Sequence, residues 1–506
     1  MNLTQILQSK FKAYSAKQAV IFEEKVVTFD EFDKAVNHVS ELLKRRGIEK
    51  GDRVAIQLSK CLETIYFHLA CTASGAITLP LNDGYTPAEV EYFVKDSGSS
   101  LFVTDSQNYQ KSKEILHKIP GLKILTIDEK FPGITFYPEE MENIKSFSEP
   151  EYPTKDDDTA MICYTSGTTG KPKGTMITHR NLVENMEDLH EVWRLSDQDI
   201  LLHTLPLFHA HGLMISIQGA LNAGATTIMH KKFDPEQVWN TIEKKQCTVF
   251  MGVPTMYQRI LNAWKELPRK PDIGSMRVFI SGSAPLSEDL FNQFSDTVGY
   301  TILERYGMTE TLIITSNPYE VELRKAKSVG YPLPRTAVRI IGQDGKDVTP
   351  GEVGEVCIKG GNVFNGYWQN PSKTEESFMG EWFKSGDLGY QDRHDNLRLY
   401  LVGRSKELII SGGYNVYPKE VESRLEKHRA VKEAAVIGLP DPDFGERVTA
   451  AVVLEDGAEV GEDELQAFCK IELVSYKSPK KIYFLDELPR NTLGKVLKDE
   501  IKKMFS

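Results

Sequence analysis

The residues from Tyr164 to Thr175 read YTSGTTGKPKGT and have the composition of a loop that binds phosphate. Glycine lets backbone N–H groups approach an anion, hydroxyls donate further hydrogen bonds, and lysines neutralise charge. The candidate ligands are Thr165, Ser166, Gly167, Thr168, Thr169, Gly170, Lys171 and Lys173. The segment is not a Walker A loop, because the GxxxxGK spacing followed by Ser or Thr is missing. A solvated surface loop can have the same composition, so other residues must decide between the two interpretations.

Short apolar runs alternate with helical patterns on both sides of this loop. Thr28 and Glu31 have the spacing of a capping box, and they begin a predicted helix that Gly47 ends. The runs 54–58, 101–105 and 123–128 predict buried strands, as do 225–229, 248–254 and 277–282 after the loop. Residues 137–158 are predicted to be a connector. The alternation predicts an α/β fold with layered sheets and parallel strand pairs.

The pattern of predicted secondary structure changes towards the C-terminus. From Ala337 the chain has short β runs with turn signals, and past Arg404 strand-like runs alternate with helical segments at 419–427 and 462–472. The last segment is therefore predicted to be a compact α+β unit of about 100 residues, a size that can fold alone. We expect a large N-terminal domain over residues 1–403 and a small C-terminal domain over residues 404–506.

Composition excludes several classes of protein. The 506 residues carry a formal net charge of −11, which argues against a general nucleic-acid binder. The 6 cysteines are scattered without a CxxC pair, so neither a zinc site nor a disulfide framework is indicated. The N-terminus lacks the apolar core of a secretory signal, and no apolar run is long enough to span a bilayer. We expect a soluble cytoplasmic protein, with its oligomeric state left open.

Five motifs in a fixed order make the phosphate interpretation specific. The loop is followed by YGMTE (306–310), SGD (385–387), GRSKE (403–407) and PRNTLGK (489–495). Over nearly its whole length the chain thereby resembles the adenylate-forming acyl-CoA synthetase superfamily. The resemblance implies a mobile C-terminal domain and two half-reactions. A carboxylate first attacks the α-phosphate of MgATP to give an acyl adenylate and pyrophosphate, and the thiol of coenzyme A (CoA) then displaces AMP.

The resemblance also implies roles for individual residues. The loop would wrap the β- and γ-phosphates, Thr309 would contact the α-phosphate, and Glu310 would hold Mg²⁺. Ser283 and Ala284 lie in SGSAP (281–285), which is predicted to close a strand and open a helix, and which lines the adenine pocket in this family. Locally, Thr309 could cap a turn, Glu310 could be a surface acid, and SGSAP could be an ordinary turn.

Four further positions in the second half match the family. Asp387 fits the ribose hydroxyls, Arg404 fits ribose or phosphate, and Lys495 matches the catalytic lysine of adenylation. Lys406 matches the hinge between domains, where many members carry aspartate. By composition alone, Arg404 could be an ion-paired surface arginine, and Lys495 a solvated lysine in a lysine-rich tail.

A glycine-containing loop matches the part of the family that guides the pantetheine arm of CoA. Its residues are Gly412, Gly413 and Tyr414. Locally, the same segment is expected to form a turn before a helix that starts at Pro418.

The choice of acid rests on Arg305, next to the YGMTE motif. A guanidinium can grip a carboxylate through two hydrogen bonds, so Arg305 favours a small dicarboxylate, with His209 as a second polar group near the acyl end. The surrounding runs look most like malonyl-CoA synthetases. The stretch 321–334 nevertheless lacks the glycine and proline pattern expected in that subgroup before the VG pair at 329–330, which leaves the placement of Arg324 open. Arg305 could instead pair with Glu304 or Asp296, and His209 could be a core histidine.

The sequence leaves other substrates and classes open. Malonate or methylmalonate is the preferred acid, and a short- or medium-chain fatty acid or an aryl acid is the alternative. A carrier-protein loading enzyme would share the adenylation motifs. A non-catalytic relative would be expected to lack Lys495 or Glu310, and both are present.

Overall fold

The computed structural model of the protein describes residues 2–146, 154–165, 172–490 and 495–505. The chain divides into two compact units. The first comprises Met1–Lys325, Pro332–Ala337 and Ile358–Glu381, and the second comprises Ala326–Tyr331, Val338–Cys357 and Trp382–Ser506. The second unit thus includes all of 404–506 together with earlier strands, while the domain boundary at residue 403 stays a prediction.

The α-helices are α1 (Leu3–Ala13), α2 (Phe29–Arg45), α3 (Leu62–Ser74), α4 (Pro87–Ser97), α5 (Ser106–Leu116), α6 (Tyr137–Asn143), α7 (His179–Trp193), α8 (Gly219–Ala223), α9 (Pro235–Lys245), α10 (Pro254–Glu266), α11 (Glu288–Val298), α12 (Pro371–Glu376), α13 (Pro418–Leu425), α14 (Glu462–Glu472) and α15 (Lys498–Phe505). A π-helical segment covers His211–Gln218, and 3₁₀ turns cover Val321–Leu323 and Ser405–Glu407. No helix among the described residues is both long enough and apolar enough to cross a membrane.

The strands are β1 (Gln18–Phe22), β2 (Lys25–Thr28), β3 (Arg53–Gln57), β4 (Ile77–Pro80), β5 (Leu101–Thr104), β6 (Lys123–Thr126), β7 (Thr135–Phe136), β8 (Thr159–Thr165), β9 (Lys173–Thr178), β10 (Ile200–His203), β11 (Thr226–Met229), β12 (Val249–Gly252), β13 (Val278–Ser281), β14 (Leu303–Met308), β15 (Leu312–Ser316), β16 (Ser328–Pro332), β17 (Thr336–Ile341), β18 (Gly354–Gly360), β19 (Phe378–Met379), β20 (Trp382–Asp392), β21 (Arg398–Arg404), β22 (Ile409–Ser411), β23 (Tyr414–Val416), β24 (Val431–Asp441), β25 (Gly445–Leu454) and β26 (Lys481–Phe484).

Two sheets organise the first unit. One has the order β7-β6-β5-β3-β4-β8-β9, and the other has the order β15-β14-β13-β12-β10-β11-β1-β2. The inner strands of both run parallel, whereas β8–β9, β14–β15 and β1–β2 are antiparallel. Strands such as VFIS of β13 are buried at every position, as expected for parallel strands covered on both faces. The predicted α/β fold is confirmed.

The helix ends follow the capping residues of the sequence. Thr28 accepts a hydrogen bond from the backbone N–H of Glu31, whose carboxylate accepts one from the backbone N–H of Thr28, so the predicted capping box begins α2. The connector predicted over residues 137–158 differs, because α6 forms its first seven residues with Pro138 in the first turn. Proline fits there because the first helical N–H groups need no partner within the helix.

The second unit contains two smaller sheets. The first has the order β17-β18-β20-β21-β16, and the second has the order β23-β22-β25-β24 with β26 beside β25. Helix α13 packs on the second sheet, whose apolar core includes Val421, Val436 and Val452. The β runs expected after Ala337 and the α+β pattern expected after Arg404 are both present.

Candidate functional site

The ends of the predicted phosphate loop lie in an antiparallel pair of strands. Thr165 is the last residue of β8 and faces Lys173, the first residue of β9. The other predicted loop ligands, Ser166, Gly167, Thr168, Thr169, Gly170 and Lys171, lie outside the described residues. The register of β8 and β9 therefore fixes where the loop starts and ends.

Glu310 is a buried carboxylate held by two hydroxyl groups. Its Oε1 accepts a hydrogen bond from the Tyr367 hydroxyl at 3.1 Å and from Thr165 Oγ1 at 3.3 Å. The ammonium of Lys173 lies 5.4 Å from the centre of the Tyr367 ring. Burial lowers the pKa of Lys173, Lys373 adds to the lowering, and the charge of Glu310 opposes it. The structure thus joins both described ends of the loop to the predicted metal ligand.

Thr309 lies in the turn between β14 and β15 and is partly buried. The turn is tight, because a Cβ atom on Gly307 would lie 2.0 Å from the carbonyl oxygen of Leu312. A side chain at residue 307 would therefore push the two strands apart. This close approach fixes Thr309 and Glu310 in the turn that directly follows β14.

The carboxylate of Glu310 is a suitable ligand for Mg²⁺, which prefers oxygen atoms. No group of three or more His, Cys, Asp or Glu side chains that could hold a metal occurs in the described part of the chain. Mg²⁺ characteristically takes one or two carboxylates and completes its shell with phosphate oxygens and water. A single carboxylate fixed beside the two described ends of the predicted phosphate loop fits that requirement.

Arg305, in β14, is a buried cation that has no acidic partner in the described part of the chain. Its side chain is 4% exposed, and its Nε and Nη2 atoms are buried without a hydrogen-bond partner among the described residues. No described carboxylate forms an ion pair with it, so the pairing with Glu304 considered above is not observed. Burial lowers the pKa of Arg305 to about 10, which still leaves it charged at neutral pH.

The guanidinium of Arg305 lies directly against Gly282. A Cβ atom at residue 282 would lie 2.4 Å from Arg305 Cζ, so only glycine leaves room for the cation there. Arg324, by contrast, donates its guanidinium hydrogens to the backbone carbonyls of Thr301, Pro318 and Tyr319. Arg324 therefore supports the local backbone instead of presenting a free cation.

Two imidazoles accompany Arg305. The Nε2 atoms of His209 and His211 are both buried without a partner among the described residues, and His211 Nδ1 lies 3.2 Å from Ser283 Oγ. Burial lowers the pKa of His209 to about 4. Burial, and then the charge of Arg305, also hold the pKa of His211 well below its usual value. Both rings are neutral at pH 7, which makes Arg305 the charged member of this group.

The SGSAP segment does not open a helix, contrary to the sequence-based expectation. Strand β13 ends at Ser281, whereas α11 begins at Glu288 with Ser287 as its N-cap. Ser283 instead has a left-handed backbone with φ of 68°, which lets the chain turn away from the sheet. Ser283 and Ala284 therefore lie in a loop, and the free N–H groups of the helix start come only after Ser287.

In the second unit, Asp387 and Arg404 form an ion pair. They face each other across β20 and β21, with Arg404 Nε 2.6 Å from Asp387 Oδ1. Asp387 is buried, whereas about a third of the Arg404 side chain is exposed. The structure brings together these two residues, both predicted to bind the nucleotide, and their opposite charges neutralise each other.

Lys495 belongs to the same charged group. Burial lowers the pKa of Lys495, the nearby charge of Arg404 lowers it further, and Glu407 and Asp387 oppose the shift. Lys406 is exposed in the 3₁₀ turn beside Glu407. The predicted catalytic lysine and the predicted hinge residue thus lie close to the Asp387–Arg404 pair.

The Gly412–Gly413 pair forms the turn of the hairpin between β22 and β23. Both glycines have positive φ, 60° and 81°, as a two-residue hairpin turn requires. Tyr414 follows and is 60% exposed. The turn expected before the Pro418 helix is present, and α13 starts at Pro418.

Two residues that contact predicted site residues or their neighbours were not identified from the sequence. Tyr367, which donates to Glu310, lies 57 residues away from it, and no local pattern connects them. Lys498 contacts Glu407 at 3.2 Å and Glu422 at 2.6 Å, yet in the sequence it is one of several lysines in the tail. Only the tertiary structure distinguishes these residues from their neighbours.

Comparison with known proteins identifies relatives across the whole length. Residues 7–368 match the family model for AMP-binding enzymes, and residues 420–495 match the model for the AMP-binding enzyme C-terminal domain. The crystal structure of ATP-bound MatB from Rhodopseudomonas palustris shares 37% identity with the chain, at a TM-score of 0.92, over 100% of this chain and 99% of that one.

Two curated relatives differ in the acid that their names specify. A feruloyl-CoA synthase from Amycolatopsis is 35% identical over 95% of this chain and 94% of its own length. A mitochondrial malonate–CoA ligase from Mus musculus is 33% identical over 96% of this chain and 90% of its own length. Overall identity therefore does not separate a dicarboxylate from an aryl acid.

Proposed function

Because the chain belongs to the AMP-binding enzyme family and is an AMP-forming acid–thiol ligase, we propose that its acid is a small dicarboxylate, malonate or methylmalonate. The products would be the acyl-CoA thioester, AMP and pyrophosphate. The observation that carries the choice of acid is Arg305, a buried guanidinium for which no described carboxylate acts as a counter-ion.

The first half-reaction joins two anions, so the protein must supply positive charge where they meet. The acid carboxylate attacks the α-phosphate of ATP, and pyrophosphate leaves. In this proposal the Thr165–Lys173 loop holds the β- and γ-phosphates, Thr309 donates to the α-phosphate, and Lys495 reduces the repulsion between the α-phosphate and the attacking carboxylate. Asp387 accepts from the ribose hydroxyls, and the Ser283–Ala284 loop flanks the adenine.

Glu310 is the residue proposed to hold Mg²⁺. Mg²⁺ held by Glu310 would supply positive charge to offset the negative charge that develops on the leaving pyrophosphate. Tyr367 and Thr165 fix the carboxylate by donating to its Oε1 atom. A ligand fixed in advance loses little conformational freedom when the metal and nucleotide bind.

In the second half-reaction, the CoA thiolate attacks the acyl carbonyl and AMP leaves. We assign the Gly412–Gly413 turn, with Tyr414, to the pantetheine arm, because glycine leaves the backbone accessible to a narrow ligand. Lys406 is proposed as the hinge residue whose backbone changes between the half-reactions.

Electrostatics supports a dicarboxylate over a fatty acid. A buried cation without a counter-ion is costly, and an anionic ligand removes that cost by pairing with it. The distal carboxylate of malonate can accept two hydrogen bonds from the guanidinium of Arg305. An alkyl or aryl chain would leave Arg305 unpaired and place apolar atoms against charge. A fatty or aryl acid remains the second candidate, since the feruloyl-CoA synthase is similarly close in sequence.

The test is the Arg305→Ala variant, with Arg305→Lys beside it. Removing the guanidinium is expected to lower kcat/KM for malonate by about 10²-fold, corresponding to loss of a charge-assisted hydrogen bond pair. Lysine keeps the charge but cannot form the planar two-point contact, so we expect it to restore activity only in part. Octanoate and coumarate, assayed in parallel, should not lose activity in either variant.

The outcome that would reject the dicarboxylate is Arg305→Ala with unchanged malonate activity. Two results together would favour the second candidate. The wild type would show little activity with malonate, and Arg305→Ala would show raised activity with octanoate or coumarate.

A further inference from the structure

Lys60 is a second cation near the carboxyl ends of the strands in the first unit. It lies three residues after β3, and its ammonium donates to the backbone carbonyl of His203 at 3.3 Å. No described carboxylate forms an ion pair with Lys60, and burial lowers its pKa to about 7. One long hydrogen bond is a poor replacement for the water that this ammonium loses.

Lys60 is partly buried, and two other partly buried lysines show how neighbouring groups compensate an ammonium in this chain. Lys498 contacts two carboxylates, and although burial opposes it, their charge raises its pKa. Lys17 donates to two backbone carbonyls, and Asp197 and Asp199 oppose the effect of burial. Lys60 has neither the carboxylates of Lys498 nor the pair of carbonyls and aspartates of Lys17.

Two imidazoles beside Lys60 also have unused hydrogen-bonding atoms. The Nδ1 atoms of His203 and His230 are buried and have no partner among the described residues. The other nitrogen of each ring is engaged, with Gly212 O at 3.1 Å and with Thr241 Oγ1 at 3.0 Å. After burial, the charge of Lys60 is the next cause that lowers the pKa of both rings.

The topology brings His203 and His230 to the carboxyl ends of neighbouring strands, and Lys60 contacts the same place. His203 ends β10, and His230 follows directly after β11, its parallel neighbour. The backbone N–H of His230 donates to the same His203 carbonyl that accepts from Lys60. Ligands of open α/β sheets bind at the carboxyl ends of the strands, so this edge is where a ligand is expected.

We propose that Lys60, His203 and His230 form a second anion-binding position, in addition to Arg305, which takes an oxyanion of a substrate. The inference rests on the proposed function, which supplies two sources of that oxyanion: a carboxylate of the acid and a phosphate of CoA. The oxyanion accepts from the ammonium and restores its charged form. It also favours protonation of a neighbouring Nδ1 atom, which then becomes a donor.

The experiment compares Lys60→Met with Lys60→Arg in two assays. ATP–pyrophosphate exchange without CoA gives KM for the acid, and thioester formation at saturating acid gives KM for CoA and for 3′-dephospho-CoA. Losing a charge-assisted hydrogen bond is expected to raise one of these KM values about tenfold or more in Lys60→Met. Lys60→Arg keeps the cation and should recover most of the loss.

The two sources give different results. A raised KM for the acid with an unchanged KM for CoA identifies the carboxylate. A raised KM for CoA with unchanged exchange identifies a phosphate, and 3′-dephospho-CoA then reports whether the 3′-phosphate is the group bound. KM values for acid and CoA that both stay within about twofold of the wild type overturn the proposal.

Thermal unfolding separates binding from a structural role. Removing an uncompensated cation should leave the midpoint unchanged or raise it, whereas a clear fall in both Lys60 variants, with unchanged KM values, would make Lys60 structural and overturn the proposal. The proposed function fails separately, if the wild type does not use malonate. The CoA assay then proceeds with whichever acid supports exchange, and its result still decides the role of Lys60.

Discussion

Arg305 and Arg404 are both partly or fully enclosed arginines, but their surroundings are opposite. Arg404 lies 2.6 Å from the carboxylate of Asp387, whereas the Nε and Nη2 atoms of Arg305 have no partner among the described residues, and the imidazole of His211 beside it is neutral. A compensated arginine can orient a polar ligand without adding net charge. An uncompensated arginine favours an anion. The difference supports the proposal that Arg305, in the first unit, selects the acid.

The largest effect on activity is expected at Lys495, beside the Asp387–Arg404 ion pair. Lys495→Ala should lower ATP–pyrophosphate exchange by about 10²- to 10³-fold, because a positive charge aimed at the transition state is lost. Thioester formation from supplied acyl adenylate and CoA should persist. Equal loss in both assays would mean that Lys495 is needed for folding or for both half-reactions.

The next effect concerns the hydroxyl that positions Glu310. Tyr367→Phe keeps the ring beside Lys173 and removes only the donor to Oε1. We expect the Mg²⁺ concentration for half-maximal exchange to rise about tenfold, since a hydrogen bond to a charged group is lost. Mn²⁺ binding in the presence of ATP, followed by electron paramagnetic resonance, should weaken in parallel. Unchanged metal dependence would remove Tyr367 from this role.

Stability measurements test the comparison itself. Arg404→Ala leaves Asp387 without its ion-pair partner and should lower the free energy of unfolding by about 1–2 kcal/mol, allowing for the exposure of the arginine. Arg305→Met removes a cation that has no such partner among the described residues, so its free energy of unfolding should stay level or rise. A larger loss for Arg305→Met than for Arg404→Ala would contradict the difference between the two sites.

A buried imidazole should make the stability depend on pH. His68 contacts Thr78 and Gln218, and burial lowers its pKa to about 4, against about 6.5 in an unfolded chain. The unfolded state therefore binds the proton first, and stability contributed by neutral His68 is lost as pH falls from about 6.5 towards 4. His68 alone should contribute at most about 1.4 kcal/mol per pH unit to the slope of the free energy of unfolding, and His68→Gln should reduce the total slope by up to that amount.

Much of the fold was predictable because it depends on local patterns. The α2 capping box, the α/β alternation and the glycine turn at 412–413 were all read from neighbouring residues. The SGSAP prediction was wrong for a local reason, since Ser287 is the N-cap of α11 and Ser283 has a left-handed backbone in the preceding loop. Tyr367 and Lys60 were not predictable, because their importance depends on contacts with residues distant in the sequence.

The most direct test is an AMP-release assay of the wild type with malonate, acetate, octanoate and coumarate, each with and without CoA. We expect the highest kcat/KM with malonate, and steady turnover only when CoA is present. Faster AMP release with octanoate or coumarate than with malonate would contradict the assignment of Arg305 to a distal carboxylate. Steady turnover with a carrier protein but not with CoA would contradict the assignment of CoA as the acyl acceptor.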